Sequence, residues 1–381
     1  MNFDAMTDCL NHFVDDIHIP TVDMQVFHKG NKVYDFRKGK KDGVSDIKIT
    51  DYYNLYSVSK VITCTAAMQL FEKGKFILND PLYEYMPEFK DMYVRVDESK
   101  DLGAEVSQGV EVKYGEDGEN LVKAKNPIRI RDVFNMTAGF DYNTNSSAIQ
   151  RIRKEKNGEF LTSDIIKALS ETPLLFEPGT KWSYSLGHDL LAAFVEKLSG
   201  MKFSEYLKQN IFEPLGMDSF TFERTPEIEE NMVDQFRYNS DTKYAEKISK
   251  ECSPFIIGKG YESGGAGLAG TPEDYGKFVN AMSMGGVSKS GERILSECTI
   301  NLMKCDFLPE CARYSYNWTQ LVGGYGYGLG VRTHIDKSKS GGLSPLGEFG
   351  WGGAAGAYVL IDNENQIAAY YAQHMLNNLE P

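Results

Sequence analysis

The rhythm of apolar and polar positions changes several times along this chain. Residues 2–14 read as a helix of modest amphipathicity. Alternation with a period of two then takes over in "TVDMQVFHKG" and "NKVYDFRKG", which predicts two strands. Gly30-Asn31 between them is the signal of a two-residue hairpin turn. From Lys60 the pattern turns almost wholly apolar. "KVITCTAAMQLFEKGK" predicts a helix that stops at Gly74. Pro81 and Pro87 mark turns. Residues 95–126 are dense in charge and glycine, and "VEVKYGEDGENLVKAK" alternates about Asp117-Gly118. That segment predicts a small solvated hairpin.

"PIRIRDVFNMTAGF" then reads as a short strand leading into a helix. Helices are expected at about 163–171, 186–199, 203–211 and 271–284. The last is the best signalled. Thr271 is its N-cap, Pro272 opens the first turn, and Glu273 and Asp274 complement the helix dipole. Tyr275, Phe278, Val279 and Met282 form its apolar face. The C-terminal third becomes strand-rich, in "GYGYGLGVRTHI", "GEFGWGG", "GAYVLIDNEN" and "QIAAYYAQH". Asn363-Glu364-Asn365 reads as a hairpin loop.

Strands at both ends thus enclose a helix-rich middle. The expected fold class is α+β: an antiparallel sheet built from both chain termini and flanked by helices, plus a mostly helical second domain. The expected division is 1–90 with 265–381 as the sheet domain. Residues 91–264 form the helical one, which carries the small hairpin. The active site is expected between them.

Composition narrows the partners. The 381 residues carry 41 Lys and Arg against 54 Asp and Glu, a net charge of −13. That sign repels a phosphate backbone and an anionic lipid surface, so neither nucleic acid nor membrane is an expected partner. No apolar run of about 18 residues predicts a membrane span. "MNFDAMTDCLNHFVDDIHIP" lacks the basic start and apolar core of a signal peptide, which makes a cytoplasmic location the expectation. Cys298, Cys305 and Cys311 match no zinc spacing, and the histidines are scattered without H-E-x-x-H. Neither a metal nor a cofactor is expected.

The candidate chemistry begins at "NLYSVSKVITC", residues 54–64. Ser-x-x-Lys occurs four times, starting at Ser45, Ser57, Ser199 and Ser240. Only Ser57 stands at the front of a strongly apolar helix. Residues three apart on a helix are neighbours, about 5–6 Å between Cβ atoms, so Lys60 can reach the Ser57 hydroxyl. Ser59, adjacent to Lys60, cannot. A lysine in water is almost wholly protonated at neutral pH. A basic role therefore requires burial or the positive end of a helix. An ordinary N-cap serine and a solvated lysine would leave the same four letters.

Two further stretches carry chemistry. In "FEPGTKWSYSLGHDLL", residues 176–191, Tyr184 lies just before a helix and is a candidate proton shuttle. A core tyrosine with one hydrogen bond is the plain alternative. In "EFGWGGAAGAYVLID", residues 348–362, adjacent glycines on a strand mark close approach by a ligand or another backbone. Such an edge could donate N–H groups to an oxyanion. "GAGLAG", residues 265–270, fits G-x-G-x-x-G, but no βαβ unit surrounds it, so it is no dinucleotide site. No G-x-S-x-G elbow occurs.

Taken in order, these pieces resemble the serine β-lactamase and penicillin-binding superfamily. Within it they look like the class C β-lactamase-like esterases, the family VIII carboxylesterases. The resemblance spans nearly the whole chain. Ser57-Val58-Ser59-Lys60 matches the first motif, and "WSYSLGHDLL" the second, with Tyr184 as its tyrosine. "EFGWGGAAG" matches the third. "IFEPLGMDSFTF" and "ESGGAGLAGTPEDYGKFVNAM" look like further landmarks. The resemblance implies that Ser57 is the nucleophile of an acyl-enzyme mechanism and that Lys60 and Tyr184 handle its proton. Which of these two is the primary base stays open. The implied oxyanion donors are the N–H groups of Ser57 and Ala354.

The departures speak to substrate. Leu186 stands where the β-lactamase pattern has an asparagine. Trp351-Gly352-Gly353 stands where it has Lys-Thr-Gly, so a substrate carboxylate loses its cationic partner. Trp351 is expected to supply an aromatic wall. Gly352 and Gly353 are expected to let the substrate lie against the strand. The implied partner is a small neutral ester with a short acyl chain. The alternatives are a β-lactamase or D-Ala-D-Ala carboxypeptidase-like activity, an acyltransferase, and a non-catalytic ligand-binding domain.

Overall fold

The structure, a computed structural model, describes residues 2–96, 112–115, 119–249, 255–316 and 323–377. Seven strands form the main sheet: β1 (Thr21–His28), β2 (Asn31–Gly39), β3 (Tyr325–Tyr327), β4 (Arg332–His334), β5 (Phe349–Gly350), β6 (Tyr358–Asp362) and β7 (Ile367–Ala372). Their order is β3-β4-β5-β6-β7-β1-β2, all antiparallel. The two chain ends meet where β1 pairs with β7, Asp23 opposite Ala372 through His28 opposite Ile367. The α+β sheet expected from the alternation is therefore present.

The pleat decides what covers each face. Asp23, Gln25 and Phe27 point one way with Ala368 and Tyr370, and helix Pro272–Ser283 packs over them. The helix sits close because residue 276 is glycine. A Cβ there would lie 2.5 Å from Gln25 Oε1 and 2.8 Å from Phe27 Cζ. The opposite face, with Val22 and Met24, is covered by helix Asp4–Asp15 through Leu10.

The helix covering that face is α1 (Asp4–Asp15), and three further helices orient the site: α2 (Ser59–Glu72), α3 (Gly187–Ser199) and α4 (Pro272–Ser283). Every α2 residue from Ser59 to Leu70 is buried, as an all-round apolar sequence demands. Several of its polar groups find partners inside, while Ser59 Oγ and Gln69 Oε1 have none. Thr63 Oγ1 donates to Gly264 O at 2.6 Å, and Gln69 Nε2 donates to Ile294 O at 2.8 Å. Gly74, with φ 66°, follows the helix end. The Thr271 hydroxyl caps α4 by accepting from Asp274 N–H.

Four details differ from the sequence reading. The β1–β2 turn centres on Lys29-Gly30 rather than Gly30-Asn31. Both have positive φ, 51° and 79°, which matches the twist of a tight hairpin. "GYGYGLGVRTHI" is a hairpin, not one strand, because Gly330 turns the chain at φ 84°. The helix expected at 203–211 runs on to Leu215 through a π turn at Lys208–Phe212. Pro214 explains the turn: it has no N–H for Asn210 O, and Gln69 Nε2 donates to that carbonyl instead, at 2.9 Å. The hairpin expected around Asp117-Gly118 pairs Val112–Tyr114 with Asn120–Lys123. Its turn lies outside the described residues, and a third strand, Tyr93–Val96, extends it.

Candidate active site

Ser57 owes its place to a bent approach. Tyr53–Asn54 pairs with Ala269–Gly270, and the chain then turns sharply at Tyr56, whose φ is 48°. A bulky side chain is strained in that region, so the surroundings must hold it. They do: Tyr56 OH donates to Gln235 Oε1 at 2.8 Å, and the ring meets Phe255 edge-on. Ser57 then sits in a 3-10 turn that runs directly into α2. The sequence expectation put Ser57 at the front of the α-helix. It lies in this tighter lead-in turn, and Lys60 is still within reach.

Lys60 is fully buried. Its Nζ lies 3.4 Å from Ser57 Oγ and donates to Gly265 O at 2.7 Å. It also stands over two ring faces, 4.5 Å from the centroid of Tyr184 and 5.3 Å from that of Tyr142. Tyr142 and Tyr184 stack with centroids 5.2 Å apart at 14°. All these partners suit a cation: a carbonyl oxygen and the negative faces of two aromatic rings. Burial raises the Tyr142 phenol well above its ordinary pKa, with Tyr184 and Asp189 adding to the shift.

Trp351 is fully buried. Its ring stacks against Tyr184 at 5.9 Å, and its Nε1–H donates to Tyr184 OH at 3.3 Å. The aromatic wall expected here thus backs the tyrosine and hydrogen-bonds it. The two glycines that follow differ from each other. A Cβ on Gly353 would stand 2.8 Å from Leu55 O, so this glycine admits the segment that carries Ser57. A Cβ on Gly352 would meet only Ala357 O, at 3.7 Å. Gly353 N–H donates to Ala357 O at 2.7 Å, closing a turn that leaves Ala354 exposed. Leu186 is buried in the apolar core just ahead of α3.

Two titratable neighbours of Lys60 are held neutral. Burial, and then the positive charge of Lys60, pushes His188 down to about 3. Burial pushes the Cys64 thiol up, against the pull of Lys60. Behind the third motif lies a second buried cation. Arg332 meets Glu348 through both guanidinium nitrogens, at 2.9 and 3.2 Å. The rings of Tyr325 and Tyr358 flank it at 4.8 and 4.6 Å. Burial, the largest single influence, opposes its charge, but Glu348 together with Tyr358 and Tyr325 outweighs it and the net shift is upward.

The structure therefore gathers Ser57, Lys60, Tyr184 and Trp351 into one cluster, with Gly353 against the serine segment. Sequence reasoning missed Tyr142 and the Gly265 carbonyl. No periodicity links Tyr142 to Tyr184. Gly265 lay inside "GAGLAG", where its glycine pattern drew attention to phosphate binding instead of lysine anchoring.

Comparison with known proteins gives the chain a family and bears on its fold. A family model described as Beta-lactamase matches residues 6–378. Protein Rv1367c of Mycobacterium tuberculosis is 26% identical over 332 residues, covering 84% of this chain and 77% of that protein. Acyltransferase calJ of Penicillium decumbens is 25% identical, covering 93% and 84%. Among solved structures, EstCE1, a hydrolase with promiscuous acyltransferase activity, aligns with a TM-score of 0.76 at 22% identity. That alignment covers 98% of this chain and 93% of EstCE1, and it bears on the fold.

Proposed function

The chain belongs to the Beta-lactamase family, and from that premise we propose that it is a serine hydrolase cleaving carboxylic esters through an acyl-enzyme. The observation that carries this is the Ser57–Lys60 approach of 3.4 Å beneath the Tyr184 ring. Ser57 Oγ attacks the ester carbonyl carbon, and its proton passes to the base. The carbonyl oxygen becomes an oxyanion, for which the N–H groups of Ser57 and Ala354 are the donors. The intermediate collapses to the acyl-enzyme, and the alcohol leaves with a proton from Tyr184. Water then attacks the acyl carbon and gives up its proton, and Ser57 regains its own.

Two features bear on the details. The ring faces and carbonyl around Lys60 Nζ suit an ammonium, which favours Tyr184 as the base. The Trp351 N–H would stabilise a phenolate by its hydrogen bond. Leu186 and Trp351 supply neither an amide nor a cation to a substrate. This supports short, neutral esters over β-lactams or D-Ala-D-Ala peptides.

The test is intact mass after incubation with a fluorophosphonate, wild type against Ser57→Ala. One adduct is expected on the wild type and none on the variant. An adduct that survives the substitution sinks the assignment. Turnover of p-nitrophenyl butyrate should exceed that of nitrocefin. The likeness to acyltransferase calJ and to EstCE1, a hydrolase with promiscuous acyltransferase activity, favours one second reading, acyl transfer to an alcohol. Added alcohol would then yield a new ester in place of part of the acid.

A further inference from the structure

Asp189 and Lys60 both approach Gly265 on the side where a side chain would stand. Asp189 is buried on α3, with 1% of its surface exposed. Its Oδ1 accepts from Tyr261 OH at 2.7 Å and from Ser263 Oγ at 2.5 Å. Its Oδ2 is buried with no hydrogen-bond donor. A buried carboxylate oxygen without a donor is costly, so its position needs a reason. The space between it and the lysine is one glycine wide. A methyl group built on Gly265 would stand 2.4 Å from Asp189 Oδ2 and 3.2 Å from Lys60 Nζ. The same glycine's carbonyl accepts from Lys60.

We propose that Asp189 is a positioning residue for Lys60. Its carboxylate, pinned by Tyr261 and Ser263, is the counter-charge that holds the ammonium against the Gly265 carbonyl. The side-chain-free space at Gly265 is the spacer between the two, which form no contact pair. An opposite charge at short range stabilises an ammonium. A contact salt bridge would also occupy the N–H groups that face Ser57. The spacer keeps the field of the carboxylate and leaves those donors free to turn toward the serine.

The other groups facing this pair do not compete. Tyr142 and Tyr184 present ring faces, and Tyr261 donates to the carboxylate. His188 is neutral above pH of about 3, and burial holds the Cys64 thiol protonated.

This inference rests on Ser57 being the nucleophile. The readout is the rate of fluorophosphonate labelling of Ser57 against pH, for wild type and Asp189→Asn, with thermal melts alongside. The variant should label about tenfold more slowly. The limb of the profile that Lys60 controls should move to lower pH by on the order of one unit, because the ammonium has lost its counter-charge. That direction is the same whether Lys60 works as acid or base. A slower rate with an unmoved limb means a merely structural role and overturns the proposal, as does an unchanged profile. If Asp189→Asn does not fold, Gly265→Ala decides. Its backbone φ is not left-handed, and the methyl separates the two charges, so the limb should move the same way. A wild type that takes no label overturns the hydrolase reading and this inference with it.

Discussion

Two buried cations lie close to the third motif, and they are built alike up to one point. Lys60 and Arg332 each lie over two tyrosine rings, at 4.5 and 5.3 Å for the lysine and 4.8 and 4.6 Å for the arginine. Arg332 also has a carboxylate in contact, Glu348 at 2.9 Å. Lys60 has no carboxylate within ion-pair reach among the described residues; its nearest polar partners are a carbonyl and a hydroxyl. The arginine's donors Nη1 and Nη2 are spent on Glu348 and Val359 O, which ties β4 to the start of β5 and to β6, while its buried Nε has no acceptor. The lysine's are only partly spent. One cation is a fastener, the other a reagent, and the difference lies in how near the counter-charge may come.

Substitutions can break this contrast. Lys60→Met should cost the most in activity, on the order of 10²–10⁴ in kcat/KM, with little loss or a gain in Tm. A large drop in Tm would mean that Lys60 is a fastener too. Arg332→Met should do the reverse. Removing one partner of a buried pair costs about 3–5 kcal/mol, read from urea denaturation. A stable variant with tenfold lower activity would move Arg332 into the chemistry.

Smaller changes sharpen the picture. Trp351→Phe keeps the ring but loses the N–H to Tyr184. It should lower kcat by about tenfold, the worth of one hydrogen bond, with Tm nearly kept. An unchanged kcat would show that the Trp351 N–H is idle. The smallest effect concerns His188, whose folded pKa is depressed from 6.5 to about 3. The unfolded chain binds this proton below about pH 6.5 and the folded one does not. Stability from this group is therefore full above pH 6.5 and is lost as pH falls towards 3. His188→Gln should narrow the gap between melting temperatures at pH 7.5 and 4.5. An equal gap in both proteins would contradict it.

The serine, the lysine and the tyrosine were legible in the sequence because each sits at a local signal: the start of an apolar helix, or the turn before one. The sheet was legible too, since β1 and β2 alternate and β6 and β7 are short apolar runs bounded by Gly, Asn and Asp. What was not legible depends on contacts between distant segments. Tyr142 meets Tyr184 only after folding, and Gly265 meets Lys60 only across the core. Gly353 is small because Leu55 comes up against it, a fact about a segment nearly the whole chain away. The π turn at Lys208–Phe212 is an intermediate case. Pro214 could have flagged it, but the carbonyl it strands is taken up by Gln69 on another helix.

The burial of α2 from Ser59 to Leu70 has a consequence for the protein's ageing. A stretch with no face on water cannot open alone, so its amides should exchange with solvent only when the whole domain unfolds. Ser57 is anchored to the start of that helix. The nucleophile's geometry should therefore persist until the molecule itself melts, and partial heat damage should leave survivors with full specific activity.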